Sequence, residues 1–243
     1  VGERPAILLL HGLGATGAVW HGVAEALASA GFADVRAPDL PGHGAAAPPN
    51  AYTVDRLAAA VAPAEVSPVV VGHSLGGYVA LALASGRYGS RPRAVLSIGA
   101  KLSFSAEDLA RGRDLAARPV RAFATAAVAA DRYRKVAGLA EAARAGDEYL
   151  RRGVVGPTAP DGGYRLAMDP AAFAIVVPPF ATLLADCRCP VTVARGEHDA
   201  MVADDGIAAL GRPPLRLEGL GHNAHVDDPP RIAALIASLA AGA

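Results

Sequence analysis

Six short apolar runs, each parted from the next by a stretch with helical periodicity, constrain this chain more than any other feature of it. They are AILLL at 6–10, ADVRAPD at 33–39, VVV at 69–71, AVLSIG at 94–99, VTVAR at 191–195 and LRLEGL at 215–220. Short runs of this kind, often β-branched, suit strands buried on both faces, and helical spacers between them imply right-handed crossovers of a parallel sheet. The expected fold class is α/β, doubly wound, with a mostly parallel sheet. Helices are expected over 19–30, ending at Gly31, over 54–61, over 75–85 and over 230–241. In the last of these Ile232, Leu235, Ile236 and Leu239 fall at helical spacing. Pro63 and Pro68 confine the second helix to a brief one.

Between 101 and 180 the rhythm changes: strand runs disappear, and alanine, arginine and acids alternate as in half-exposed helices. This reads as a helical insertion in a core built from 1–100 and 181–243. The stretch GVVGPTAPDGG, rich in Gly and Pro, is expected to be an irregular loop within the insertion. A chain of 243 residues with 52% apolar content is long enough for one sizeable core around which all of this can pack.

Charge and cysteine content narrow the partners. Twenty-three basic residues face twenty-three acidic ones, so no net field attracts nucleic acid, an anionic membrane or a strongly charged substrate. The insertion holds twelve Lys and Arg against nine Asp and Glu, an excess too small to mean an anionic substrate and read as a solvated helix face. The expected partner is a small, largely uncharged molecule. The two cysteines stand in Cys187-Arg188-Cys189, a spacing that points side chains of an extended segment to opposite faces and does not suit a disulfide. Without a second ligand cluster nearby they read as half-buried thiols beside a strand, and neither metal nor cofactor is expected. No apolar run reaches the ~18–20 residues of a membrane span, and VGERPAILLLHG carries an acid and turns glycine-rich too early for a signal peptide. A cytoplasmic location is the expectation.

The chemistry begins at Gly72-His73-Ser74-Leu75-Gly76, which fits G-x-S-x-G. Its glycines permit a sharp turn from strand to helix that strains the serine and exposes its hydroxyl. VVV before it supplies the strand, YVALALA after it the helix, and a helix N-terminus leaves free N–H groups near the serine. A serine hydroxyl is a poor nucleophile until a base takes its proton, so a histidine and a carboxylate are needed at the ends of later strands. Asp199 follows VTVAR, with Asp204, Asp205, Asp227 and Asp228 as rivals; His222 follows LRLEGL, with His225 three residues on. The attacked carbonyl also requires two backbone N–H donors, and the amides of Leu75 and of Leu13, in the loop HGLG, are the candidates. His73 should point away from Ser74 as a packed side chain, His11 and His43 should make structural hydrogen bonds in their turns, and Glu197 and His198 read as turn residues. Trp20, Phe104, Tyr149, Tyr164, Phe173 and Phe180 could line a pocket, though ordinary packing accounts for at least half of them.

HGLGATG, DLPGHG, GHSLGG, GEHD and GLGHNAHVDDP, in that order, resemble the α/β-hydrolase superfamily over the whole chain except the insertion. The resemblance implies Ser74 as nucleophile, Asp199 as the orienting acid, His222 as general base and Leu13 with Leu75 as the oxyanion hole. It makes 101–180 a helical cap, and the single residue after HG is similar to the hole of carboxylesterases and lactonases. Members usually begin with a β-hairpin, and only VGER precedes the HG strand here, so a sheet two strands short at one edge is expected. The activity implied is hydrolysis of a carboxylic ester, lactone or thioester through an acyl-enzyme. A biosynthetic thioesterase or cyclase, and a ligand-binding homologue with low turnover, are the alternatives. Dehalogenases and epoxide hydrolases carry Asp where Ser74 stands, and ring-cleavage C–C hydrolases usually carry Asn where His73 stands.

Overall fold

The computed structural model describes residues 4–64, 67–139, 147–158 and 162–242. In chain order the strands are β1 (Ile7–Leu10), β2 (Val35–Arg36), β3 (Val69–His73), β4 (Ala94–Ile98), β5 (Val154–Thr158), β6 (Gly163–Leu166), β7 (Val191–Gly196) and β8 (Leu215–Leu217). Six of them form one parallel sheet in the order β2-β1-β3-β4-β7-β8, and these are the six apolar runs. Two runs yield shorter strands than their length suggests. β2 pairs with β1 only at Val35 and Arg36 and lies at the edge, where Pro38 soon removes a donor. β8 stops at Leu217 because Gly219 turns the chain at φ +72°.

The helices are α1 (His21–Ser29), α2 (Val54–Val61), α3 (Leu75–Ala84), α4 (Ala106–Ala116), α5 (Ala126–Val136), α6 (Asp147–Gly153), α7 (Phe180–Asp186), α8 (Asp204–Ala208), α9 (Ala224–Asp227) and α10 (Pro229–Gly242). Because strand side chains alternate, each face of the sheet builds its own core. Leu8, Leu10, Val70, Val95 and Val193 pack with α2, α3 and α7 on one face. Ile7, Leu9, Val71, Leu96 and Ile98 pack with α1 and α10 on the other. Helices on both faces explain why the strands read as unbroken apolar runs.

Between β4 and β7 lies the segment expected to be helical with one irregular loop, and here one expectation fails. GVVGPTAPDGG is not an irregular loop: Val154–Thr158 is β5, paired antiparallel with β6 through Val154↔Leu166 and Val155↔Arg165. Gly156 and Pro157 interrupt the register of the hairpin instead of ending a strand, so local turn chemistry hid a strand supported from outside. Residues 159–161 of that stretch lie outside the described residues. Phe123 exchanges two backbone hydrogen bonds with Tyr164, which anchors the hairpin beside α5. Cys187 and Cys189 are free and half-buried, and burial pushes the Cys187 thiol up to about 12.

Chain order and sheet order together create the crevice that matters. The chain leaves β1 toward β2 on one side and returns to β3 on the other, so a topological switch falls between the carboxyl ends of β1 and β3. The residues emerging there are His11 to Gly14 and Ser74.

Candidate active site

Ser74 joins β3 to α3 with φ 50° and ψ −114°, a region costing a non-glycine residue about 1–3 kcal/mol. The neighbouring glycines show what imposes it. A Cβ on Gly72 would lie 2.1 Å from the Gly76 carbonyl oxygen, and one on Gly76 would lie 2.2 Å from the Leu10 carbonyl oxygen. The turn closes on itself and on β1, and the Ser74 N–H donates to Ile98 O at 2.9 Å. Within 69–84 Ser74 alone escapes burial, so its hydroxyl reaches the surface of the crevice.

His222 stands after β8, and its Nδ1 lies 3.0 Å from Asp199 Oδ2. The Asp199 carboxylate is fully buried, while the His222 side chain keeps 23% exposure. The other Asp199 oxygen accepts the Met201 N–H at 2.8 Å. Gly99, at φ +63°, brings the end of β4 against both: a Cβ there would lie 3.2 Å from Asp199 Oδ2 and 3.3 Å from His222 Nδ1. Three of the four rival acids are engaged elsewhere. Asp204 pairs with Arg195 and Arg216, Asp227 accepts the Gly221 N–H at 2.9 Å, and Asp228 accepts the Arg231 N–H at 3.2 Å.

His225 is buried with its ring 4.3 Å from that of Trp20 and 4.5 Å from that of His73, and among the described residues neither of its ring nitrogens has a hydrogen-bond partner. Burial pushes it down to about 3, with His222 as a second cause, so it stays neutral. His73 is equally buried, held well below the usual histidine range by desolvation and then by His225. Its Nε2 lies 3.0 Å from the His222 carbonyl oxygen, so Nε2–H donates there and ties β3 to the loop carrying His222. His73 is thus a packed side chain, as its strand position implied.

The loop holding Leu13 is clamped by two further buried histidines. The Leu40 N–H donates to His11 Nε2 at 2.8 Å and the Gly14 N–H to His43 Nε2 at 3.2 Å, so both rings carry their proton on Nδ1. Those Nδ1–H groups donate to Gly12 O at 2.8 Å and Pro41 O at 3.2 Å. Leu13 therefore sits between two backbone groups held by imidazoles. Burial pushes His11 down to about 3 and lowers His43, which keeps Nε2 free to accept. A Cβ on Gly12 would lie 3.2 Å from Ser74 Cβ, placing this loop directly beside the serine.

The segment between β4 and β7 reaches the same site. Asn223 Nδ2 donates to Gly138 O at 2.7 Å, just past α5, and a Cβ on Gly138 would lie 4.0 Å from His222 Cδ2. Val136 packs on Gly14, and Met168 bridges to His43. Sequence reasoning did not find Gly99, Gly138 or Asn223; only the positive φ of the two glycines, invisible in one sequence, distinguishes them. Of the candidate aromatics, Trp20 and Phe180 are core residues, Phe104 is exposed against Tyr78, and Phe173 lines a pocket between α4 and α5. A larger cleft of about 710 Å³ opens beside β2, lined mostly by alanines and prolines, and includes neither Ser74 nor His222.

This geometry agrees with what the chain matches: the model of the alpha/beta hydrolase family covers residues 7–235. The chain belongs to that family. It is 38% identical over 112 residues to a pimeloyl-[acyl-carrier protein] methyl ester esterase of Aeromonas hydrophila, a match covering 44% of this chain and 42% of that protein. An uncharacterised protein of Mycobacterium tuberculosis is 43% identical over 89 residues, 34% of this chain and 26% of its own length. The matched stretches thus span less than half of either relative. Among solved structures, the thioesterase domain from the curacin biosynthetic pathway superposes with a TM-score of 0.76 at 24% identity, over 97% of this chain and 92% of that one. An E-2-(acetamidomethylene)succinate hydrolase gives 0.76 at 22%, over 98% and 92%. At such identities the alpha/beta hydrolase shares the fold with them. Among the described residues no helix is long and apolar enough to cross a membrane.

Proposed function

We propose that this alpha/beta hydrolase is a serine esterase that cleaves a carboxylic ester, lactone or thioester of a small substrate through an acyl-enzyme. The observation that carries the reading is the Asp199 Oδ2 to His222 Nδ1 contact at 3.0 Å, with strained Ser74 presented at the same sheet edge. Nothing in ligand binding alone requires a buried carboxylate behind a half-exposed histidine.

In this mechanism His222 Nε2 accepts the Ser74 proton as Oγ attacks the substrate carbonyl. Asp199 holds Nδ1–H and stabilises the imidazolium that forms. The developing oxyanion is received by the amides of Leu75, at the N-terminus of α3, and of Leu13, whose loop is braced by His11 and His43. His222 then passes its proton to the leaving alcohol, and water, deprotonated by the same ring, releases the acid and restores Ser74. Residues 101–180 act as a cap over this edge, touching it through Gly138, Val136 and Met168. The Aeromonas relative is named for a methyl ester, which supports an ester as the bond attacked.

The deciding experiment compares the protein with its Ser74→Ala variant on a p-nitrophenyl ester series. Removing the nucleophile should cost roughly 10⁴ to 10⁶ in kcat/KM, because the triad acts as a unit. A loss below tenfold would exclude Ser74 as nucleophile. A stoichiometric acyl adduct without steady turnover would instead favour the binding homologue.

A further inference from the structure

The basic excess of the 101–180 segment is small by count, but the fold does not spread it evenly. Arg118, Arg121 and Arg132 all line one pocket of about 410 Å³ between α4, α5, β6 and the turn at Pro170–Ala174. That volume lies within the ~300–1,000 Å³ typical of small-molecule sites. The interior is apolar, walled by Leu115, Phe123, Val136 and Phe173. Arg132 and Val136 are four residues apart on α5 and so present one face to it.

None of the three arginines has a carboxylate partner among the described residues, whereas four acids of the same segment do have partners. Glu107 pairs with Arg111, Asp108 with Lys101, Asp131 with Arg134, and Asp169 accepts from Tyr52. Arg121 lies over the Phe123 ring at 5.1 Å, which holds its guanidinium at the apolar wall. All three arginines are solvent-exposed, so water screens their mutual repulsion and leaves each guanidinium at the pocket rim accessible to an anion. The pocket also adjoins the candidate site, since Val136 packs on Gly14, next to Leu13.

We infer that this pocket receives the acid portion of a half-ester: an apolar chain with the scissile ester at one end and a carboxylate at the other, held by Arg118, Arg121 and Arg132. The inference rests on the esterase reading and departs from the uncharged substrate expected from net charge. The carboxylate anchors the chain at the arginines while Val136 directs its ester end toward the loop of Leu13. Guanidinium groups suit this task because their planar fork pairs with both carboxylate oxygens.

The test uses the full chain carrying Ser74→Ala, which removes turnover, titrated calorimetrically with monomethyl suberate and with dimethyl suberate. The monoanion should bind tighter by about tenfold or more, the step expected of charge-assisted hydrogen bonds. Adding Arg118→Gln, Arg121→Gln and Arg132→Gln should remove the preference, and raised ionic strength should weaken it in the parent. In the active protein the same three substitutions should lower the kcat/KM ratio of monomethyl over dimethyl ester by a similar factor. Equal affinity for the two ligands, or a preference that survives substitution, overturns the inference. Should the triple variant not fold, Arg118→Gln and Arg132→Gln singly, with the salt series, decide the matter in the same way. Because calorimetry needs no turnover, this result can fail while Ser74-dependent hydrolysis stands, and the reverse.

Discussion

Helices α3 and α4 are ten and eleven residues long, yet every residue of α3 is buried and none of α4 is. α3 is specified by packing: Gly76 and Gly77 bring its first turn against Leu10 and Ser97, and Leu81 and Leu83 sit in the core. α4 is specified locally, by a capping box in which Ser105 accepts the Asp108 N–H while the Asp108 carboxylate accepts the Ser105 N–H. Lys101 pairs with Asp108 at 2.7 Å and Glu107 with Arg111 at 3.5 Å. Such exposed pairs contribute little each. The difference teaches where precision is kept. The residue proposed as nucleophile is fixed to an element that cannot shift without disrupting the core, while the arginine-lined pocket is built partly on an element free to adapt.

The comparison can be broken at several levels. The largest expected effect is on activity: Ser74→Gly should abolish ester turnover yet raise stability by about 1 kcal/mol, since glycine adopts φ 50° without strain. Loss of stability in that variant, measured by denaturant unfolding, would mean that the turn is not strained.

Next comes acid. His11, His43, His73 and His225 are all buried around the sheet edge with folded pKa values below 6.5, two of them near 3. Below 6.5 the unfolded chain binds protons that the folded chain does not, so stability falls as pH drops from 6.5 toward 3. His11 and His225 each contribute up to about 1.4 kcal/mol per pH unit in that window, and His43 and His73 act in the same direction. Unfolding at pH 7.5, 6 and 5 measures it, and a flat profile would contradict four neutral imidazoles.

Smaller effects separate the two helices themselves. Leu81→Ala, deep in α3, should cost about 2–5 kcal/mol through cavity formation. Ser105→Ala should cost about 0.5–2 kcal/mol by removing the cap of α4. Leu109→Ala, 44% exposed on α4, should stay within about 0.5 kcal/mol. Equal losses at Leu81 and Leu109 in thermal unfolding would erase the contrast.

Much of this fold is legible in the chain because its determinants are local. The apolar runs became the six strands of the sheet, and 54–61 became α2 with Thr53 accepting the Arg56 N–H as its cap. The strand β5 was hidden because Gly156 and Pro157 are turn residues in isolation, and the pairing with Val155 comes from Arg165 across the hairpin. At the candidate site, G-x-S-x-G announced Ser74 by steric necessity. Five acids, however, were available to a histidine, and chain position alone could not say that Asp204 would be taken by two arginines.

The sequence by itself therefore determined the parallel α/β architecture and the order of the candidate site residues along the chain. Hydrophobic periodicity and the glycine turn act over a few residues and need no partner. Tertiary structure alone decided that Asp199 meets His222, that His11 and His43 brace Leu13, and that Arg118, Arg121 and Arg132 share one pocket. Those facts are distances between segments far apart in the chain, and only the packing of the sheet and the segment beyond β4 fixes them.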